Sequence, residues 1–155
     1  MAQVRKVSLL VDRYLDQTDF HVYLHPSKME ELGLPDYSIV RIKVKNSTKQ
    51  IVASAVRGDI NMQISTIQMN RCFRINLTAY LGQTVIVETL SKPLVSLDTV
   101  TLKPIDDTIE GITGNLQDIF TTKLDNIPLQ MNFVIPVFTL HRIIEFKVSQ
   151  ISSNN

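Results

Sequence analysis

The first half of the chain alternates apolar and polar residues with a period of two. Val7 to Val11, Phe20 to Leu24, Ile39 to Val44, Ile51 to Val56 and Val85 to Val87 follow this pattern and are rich in β-branched side chains. Side chains on a strand alternate between faces, so each run predicts a strand with one buried face. Val100 to Leu102, Val134 to Leu140 and Ile143 to Val148 predict three more strands in the second half. Helical signals are short. Ser27 with Glu30 three residues on predicts an N-cap with a capping box, and Gly33 closes that helix. Asn70 to Leu77 is a second short candidate. The chain reads as mainly β with short helices inserted.

A weak repeat lies under this pattern. Displaced by roughly 45 positions, in the manner of tandem-repeat units, the apolar residues superimpose. Val7 meets Val52, Val11 meets Val56, Val22 meets Ile67, Leu24 meets Met69, Leu32 meets Leu77, Val40 meets Val85 and Ile42 meets Val87. Met29 against Arg74 and Leu10 against Ala55 break the match. Each copy reads as strand, loop, strand, short helix, strand. Two such units interleaved close a barrel without open edges, which is the requirement of a double-psi β-barrel.

The repeat ends near Glu88, and Thr89 to Asp98, with Ser91, Lys92 and Pro93, reads as a linker. The expected organisation is a barrel lobe over 1–93, a linker and first strand over 94–103, and a smaller β lobe over 104–155. Pro104 to Asn115 opens that lobe with an aspartate pair and two glycines. Gly111 and Gly114 suit backbone angles that other residues resist. The tail Ser152 to Asn155 is expected to fray.

Composition narrows the function. The chain has 155 residues, 44% hydrophobic and 20% charged, with a net charge of +1. That balance suits a soluble globular fold and offers no electrostatic footprint for nucleic acid or an anionic membrane. No secretory leader or membrane span is apparent. Cys72 is the single cysteine, so no internal disulfide forms and a reducing compartment is the simplest reading. Asn46-Ser47-Thr48 and Asn76-Leu77-Thr78 match the glycosylation sequon, which has no meaning in that setting.

Catalytic constellations are absent. Gly111-Ile112-Thr113-Gly114-Asn115 lacks the Gly-Lys-Ser/Thr of a P-loop. Asp106-Asp107-Thr108 is followed by Ile109 where an aspartic protease needs glycine, so its carboxylates read as turn acceptors. His21 and His25, four apart, would share a strand face, yet no third metal ligand accompanies them and both read as surface histidines. Cys72, without a histidine partner, reads as a buried packing residue rather than a nucleophile. Tyr37, Phe120 and the run Phe133 to Phe138 are candidate recognition surface. At least half of that run is expected to be buried.

Pro104-Ile-Asp-Asp-Thr-Ile-Glu-Gly-Ile-Thr-Gly-Asn115 resembles the signature of the amino-terminal domain of the valosin-containing-protein family of AAA ATPases. Leu10-Val11-Asp12, Lys28 to Leu32, Met69-Asn70-Arg71, Leu81-Gly82 and Ile144 to Val148 line up in the same order, so the resemblance spans roughly Leu9 to Val148. It implies a double-psi β-barrel followed by a smaller four-stranded β lobe. The implied role is non-catalytic: docking adaptors that bring ubiquitylated clients to ATPase rings, in the cytoplasm, the nucleus or at the cytosolic face of the endoplasmic reticulum. The implied partners are UBX-like domains, arginine-bearing helices and SHP-box peptides, the last by strand addition on the smaller lobe. No cofactor is implied for this chain; ATP and magnesium belong to ATPase modules, should these follow in the native gene. Because such rings are held mainly by their ATPase modules, the isolated chain is expected to be a monomer.

Carried onto this sequence, the family groove falls at His21, at Pro35, Asp36 and Ser38, at Ala55 and Arg57, at Leu94, Val95 and Ser96, and at Leu124, Asp125 and Asn126. The chain departs from the family pattern at several of them. Pro35-Asp36-Tyr37-Ser38 replaces a Phe-Arg-Gly-Asp turn, Leu94 to Ser96 lacks a Lys-Tyr pair, and Asn126 stands for an aromatic. Arginines that face the ring align with Tyr80 and Phe138. Two other readings accompany the docking domain: a free-standing divergent relative that competes for adaptors, and a small enzyme on the same barrel, since fold does not dictate function.

Overall fold

A computed structural model describes residues 4–105, 124, 126–139 and 142–153. Six strands close a barrel in the order β1-β5-β2-β4-β3-β6. They are β1 (Lys6–Arg13), β2 (Val22–Leu24), β3 (Ser38–Val44), β4 (Gln50–Arg57), β5 (Thr66–Met69) and β6 (Thr84–Thr89). Helix α1 (Pro26–Leu32) joins β2 to β3, and α2 (Arg71–Leu77) joins β5 to β6. The alternation read from the sequence fixes the buried faces: Val7, Leu9 and Val11 on β1, and Val40, Ile42 and Val44 on β3, point into the core.

The repeat is real, with a correction of one residue in its first strand. β1 and β4 are offset by 44 positions, so Val7, Leu9 and Val11 correspond to Ile51, Ala53 and Ala55, all buried. From β2 onward the offset is 45, and α1 coincides with α2 over its full length. A one-residue slip exchanges the faces of a strand, which explains the apparent clash of Leu10 with Ala55. With these offsets the pairing is self-consistent. Val22 opposite Ala55 corresponds to Ile67 opposite Val11, and Val40 opposite Ala53 to Val85 opposite Leu9. Tyr23 faces its own counterpart Gln68, and Ile42 faces its own counterpart Val87. A pseudo-twofold axis therefore passes through the barrel. Parallel pairs β1–β5 and β2–β4 interlock the copies in the manner expected of a double-psi barrel.

The start of α1 differs from expectation. Its N-cap is His25 rather than Ser27: His25 Nδ1 accepts from the Ser27 backbone N–H at 3.1 Å, and Pro26 opens the helix. Proline pre-sets the helical φ and has no N–H to leave unsatisfied, so it draws the cap one residue upstream of itself. Gly33 closes the helix at φ 71°, as expected, and Thr78 takes the corresponding left-handed position after α2 at φ 56°.

Residues 90–98 lead to a second sheet of order β7-β9-β8. Its strands are β7 (Thr99–Pro104), β8 (Val134–Thr139) and β9 (Arg142–Ser152). The described residues supply three strands of the four expected from the family resemblance. Phe133 to Val137 are buried and Phe138 is exposed, in line with the expectation for that run. The two sheets share one core, in which Phe20 lies edge-on to Phe133 with ring centroids 6.5 Å apart. Of the stretch Pro104 to Asn115, only Pro104 and Ile105 fall within the described residues. Gly111, Gly114, the Asp106–Asp107 pair, Phe120 and Asp125 lie outside them.

Candidate functional site

Three segments meet at one end of the barrel: the entry to β2, the turn between α1 and β3, and the end of β4. Backbone pairing sets Val22 and Ser38 opposite Ala55 on its two sides. Asp36 Oδ1 accepts the Arg57 backbone N–H at 2.9 Å, and Ser38 Oγ donates to the Pro35 carbonyl at 2.7 Å. His21 and Tyr37 pack edge to face with ring centroids 5.4 Å apart. His21, Pro35, Asp36, Ser38, Ala55 and Arg57 are thus brought into one neighbourhood. Ala55 takes part only through its backbone, because its side chain is wholly buried.

Tyr37 is the unusual residue here. Its φ is 68°, its N–H donates to the Ala55 carbonyl at 2.8 Å, and its side chain is 66% exposed. The pseudo-twofold axis maps it onto Gly82, whose φ is 83° and whose N–H donates to the Val11 carbonyl at 2.8 Å. The turn geometry is therefore dictated by the fold in both copies, and glycine meets it without strain in only one. Placing a tyrosine in the left-handed region costs about 1–2 kcal/mol, while an exposed ring gains no core packing in return. Strain of this kind, held in place by surrounding structure, gathers at functional positions.

Beside this turn runs an open groove of about 1390 Å³ between barrel and second sheet. Tyr37, Ile39 and Val52 form the barrel wall. Leu94 to Asp98 form the floor along the connecting segment, and Leu124, Asn126, Ile127 to Gln130 and Phe146 form the far wall. The two walls are tied by Gln130, whose Oε1 accepts the Val52 backbone N–H at 2.9 Å. Sequence-predicted Leu94, Val95, Ser96, Leu124 and Asn126 line the groove. His21, Asp36 and Arg57 stand next to it through Tyr37 and Ala55. Ile39, Val52, Leu97 and the stretch 127–130 escaped the sequence reading. Their signal was faint: Ile39 and Val52 look like ordinary strand residues, and Ile127-Pro128-Leu129-Gln130 has no period.

The remaining candidates resolve differently. His25 is buried, which corrects the surface reading: its Nε2 lies 3.0 Å from the Ile60 carbonyl and its other nitrogen caps α1. Cys72 is buried, as expected, and its thiol donates to Glu145 Oε2 at 3.2 Å. Burial, followed by hydrogen bonds with Asp19 and Tyr14, holds the Tyr23 phenol well above its usual pKa, so it stays protonated as a donor to Asp19. Among the described residues no group of three or more His, Cys, Asp or Glu could hold a metal ion, and no helix is long and apolar enough to cross a membrane. Tyr80 and Phe138, the two positions expected to face a ring, are 75% and 59% exposed. A family model described as "Cell division protein 48 (CDC48), N-terminal domain" matches residues 8–92.

Proposed function

Because the chain belongs to the CDC48 N-terminal domain family, we infer that it serves as a non-catalytic docking domain whose inter-sheet groove receives protein adaptors. The family is one of protein-interaction domains of CDC48-type ATPases, and the barrel of this chain carries its matched region. The finer reading concerns the groove. UBX-like domains or arginine-bearing helices enter between Tyr37 and the 94–98 segment, SHP-box peptides add to the smaller sheet, and the adaptors serve ubiquitin-dependent extraction. In this reading the chain acts as a monomer without a cofactor of its own, in the cytoplasm, the nucleus or at the endoplasmic reticulum surface. The observation that supports it is the convergence of Tyr37, Leu94 to Ser96, Leu124 and Asn126 on one groove. A concave, mainly apolar cleft with a few polar groups is the usual form of a binding site.

The test is a calorimetric titration with a UBX domain and, separately, with an SHP-box peptide. Leu94→Asp accompanies the native chain. Leu94 is exposed on the groove floor, so this change alters the surface without disturbing the core. Micromolar binding of the UBX domain that vanishes in Leu94→Asp supports the groove. Equal affinity for both chains overturns the groove, and no heat from either ligand overturns adaptor docking altogether.

A further inference from the structure

Three arginines lie near one another where β1 ends and α2 begins. Arg13, at the end of β1, lies directly opposite Met69 in the parallel β1–β5 pair. Arg71 opens α2 two residues after Met69, and Arg74 follows three residues later on the same helix face. Arg74 Nη1 donates to the Met69 carbonyl at 2.7 Å. Arg13 and Arg71 thus flank Arg74 closely enough for their charges to act on it. Burial, followed by the charges of Arg13 and Arg71, lowers the Arg74 pKa below the usual arginine value.

Little compensates this charge. Glu145 of β9 pairs with Arg71 and accepts the Cys72 thiol. Neither Arg13 nor Arg74 has an ion pair among the described residues. The neighbouring carboxylates are engaged locally: Asp12 accepts the Arg13 backbone N–H, Asp16 accepts from Thr18, and Asp19 accepts from His21 and Tyr23. The net charge of the whole chain is only +1, so the cluster is a local feature rather than a general basicity. Leu15, two residues beyond Arg13 in the chain, is 81% exposed. A guanidinium fork matches carboxylate geometry and is a common recognition device.

We propose that Arg13, Arg71 and Arg74, with the exposed Leu15 two residues beyond Arg13, form a second docking surface that takes a carboxylate-rich segment of a protein partner. The surface shares no residue with the groove, so a partner could occupy both. Arg13 and Arg74 supply free N–H donors, Arg71 exchanges part of its contact with Glu145, and Leu15 meets an apolar residue of the segment. Gathering three like charges costs stability in the free chain, and an anionic segment relieves that repulsion on binding.

The probe is a fluorescein-labelled oligoglutamate peptide, followed by anisotropy against the full chain at low and at physiological salt. Arg13→Gln and Arg74→Gln are compared with Lys45→Gln and Lys49→Gln, which remove the same charge elsewhere on the surface. Arg13 is exposed, so its variant folds regardless of the fate of Arg74→Gln. The expected result is saturable binding, weakened about tenfold in each arginine variant and unchanged in the lysine variants. Equal weakening in all four variants, or in none, would show diffuse attraction and overturn the site. Tighter binding of a single-stranded oligonucleotide of equal charge would overturn the assignment to an acidic protein segment. Groove occupancy by a UBX domain is measured separately, so failure here leaves that reading standing.

Discussion

The side-chain amide of Asn76 pairs with the backbone of Val134 in both directions. Oδ1 accepts the Val134 N–H at 2.7 Å, and Nδ2 donates to the Val134 carbonyl at 3.1 Å. One asparagine on α2 thereby acts as a surrogate strand partner for β8, whose other side is paired with β9. Among the described residues no strand pairs with this side of β8, and a helix side chain covers part of an edge that would otherwise invite foreign pairing. The same contact ties the second sheet to the barrel through α2.

Asn76→Ala should therefore destabilise the chain by about 2 kcal/mol, since it leaves a buried N–H and C=O without partners. Urea unfolding followed by circular dichroism is expected to show a lower midpoint with an unchanged slope. A midpoint within error of the native chain would mean that the pair is replaced by water at no cost.

Equivalent positions of the repeat should respond with opposite signs. Gly33→Ala puts a Cβ into the left-handed region, 2.8 Å from Arg5 Nη1, and should cost about 1–2 kcal/mol. Thr78→Gly removes a β-branched side chain from the same conformation and should gain up to about 1 kcal/mol, less the extra chain entropy of glycine. Thermal unfolding of both variants checks this. A stabilised Gly33→Ala, or a Thr78→Gly less stable than the native chain, would contradict the reading of these caps.

The barrel was legible because its information is periodic. Val7-Leu9-Val11 and Val40-Ile42-Val44 announce one buried face each, and the displacement of the pattern announces two interleaved copies. The offset in the first strand was not legible, because Val52 and Val56 are as apolar as Ile51 and Ala53, and only pairing with β2 and β3 decides which set turns inward. The cap of α1 was misread because Ser27 and Glu30 form a good local motif, while the pull of Pro26 on His25 is a backbone effect. In the groove, composition marked the connecting segment only as a linker, and the family resemblance assigned Leu94 to Ser96 to the site. Ile39 and Val52 were not legible, since a groove wall made of strand residues carries no mark of its own before the second sheet is placed.

Ala55 shows why neighbourhood alone does not make a contact residue. Its side chain is wholly enclosed between β2 and β3. Ala55→Arg should force a cation into the core and destabilise by more than about 4 kcal/mol. Far-UV circular dichroism at ambient temperature is expected to show a partly or wholly unfolded chain. A folded Ala55→Arg that merely loses partner binding would mean that position 55 opens to the groove.

Tyr37 offers the sharpest separation of stability from binding. Its left-handed backbone is imposed by the fold, as Gly82 at the equivalent position attests. Tyr37→Gly removes a strain of about 1–2 kcal/mol and an exposed ring, against about 0.5–1 kcal/mol of added glycine entropy. The variant should be as stable as the native chain or up to about 1 kcal/mol more stable. Binding should move the other way. An exposed aromatic on the wall of a binding cleft is the type of side chain whose removal costs about 2 kcal/mol or more in affinity, or roughly thirtyfold. Tyr37→Phe, which keeps the ring and its packing on His21, should bind nearly as the native chain does. Thermal unfolding and UBX titration of both variants provide the check. A Tyr37→Gly chain that binds undiminished would leave the strain at this turn without a functional counterpart.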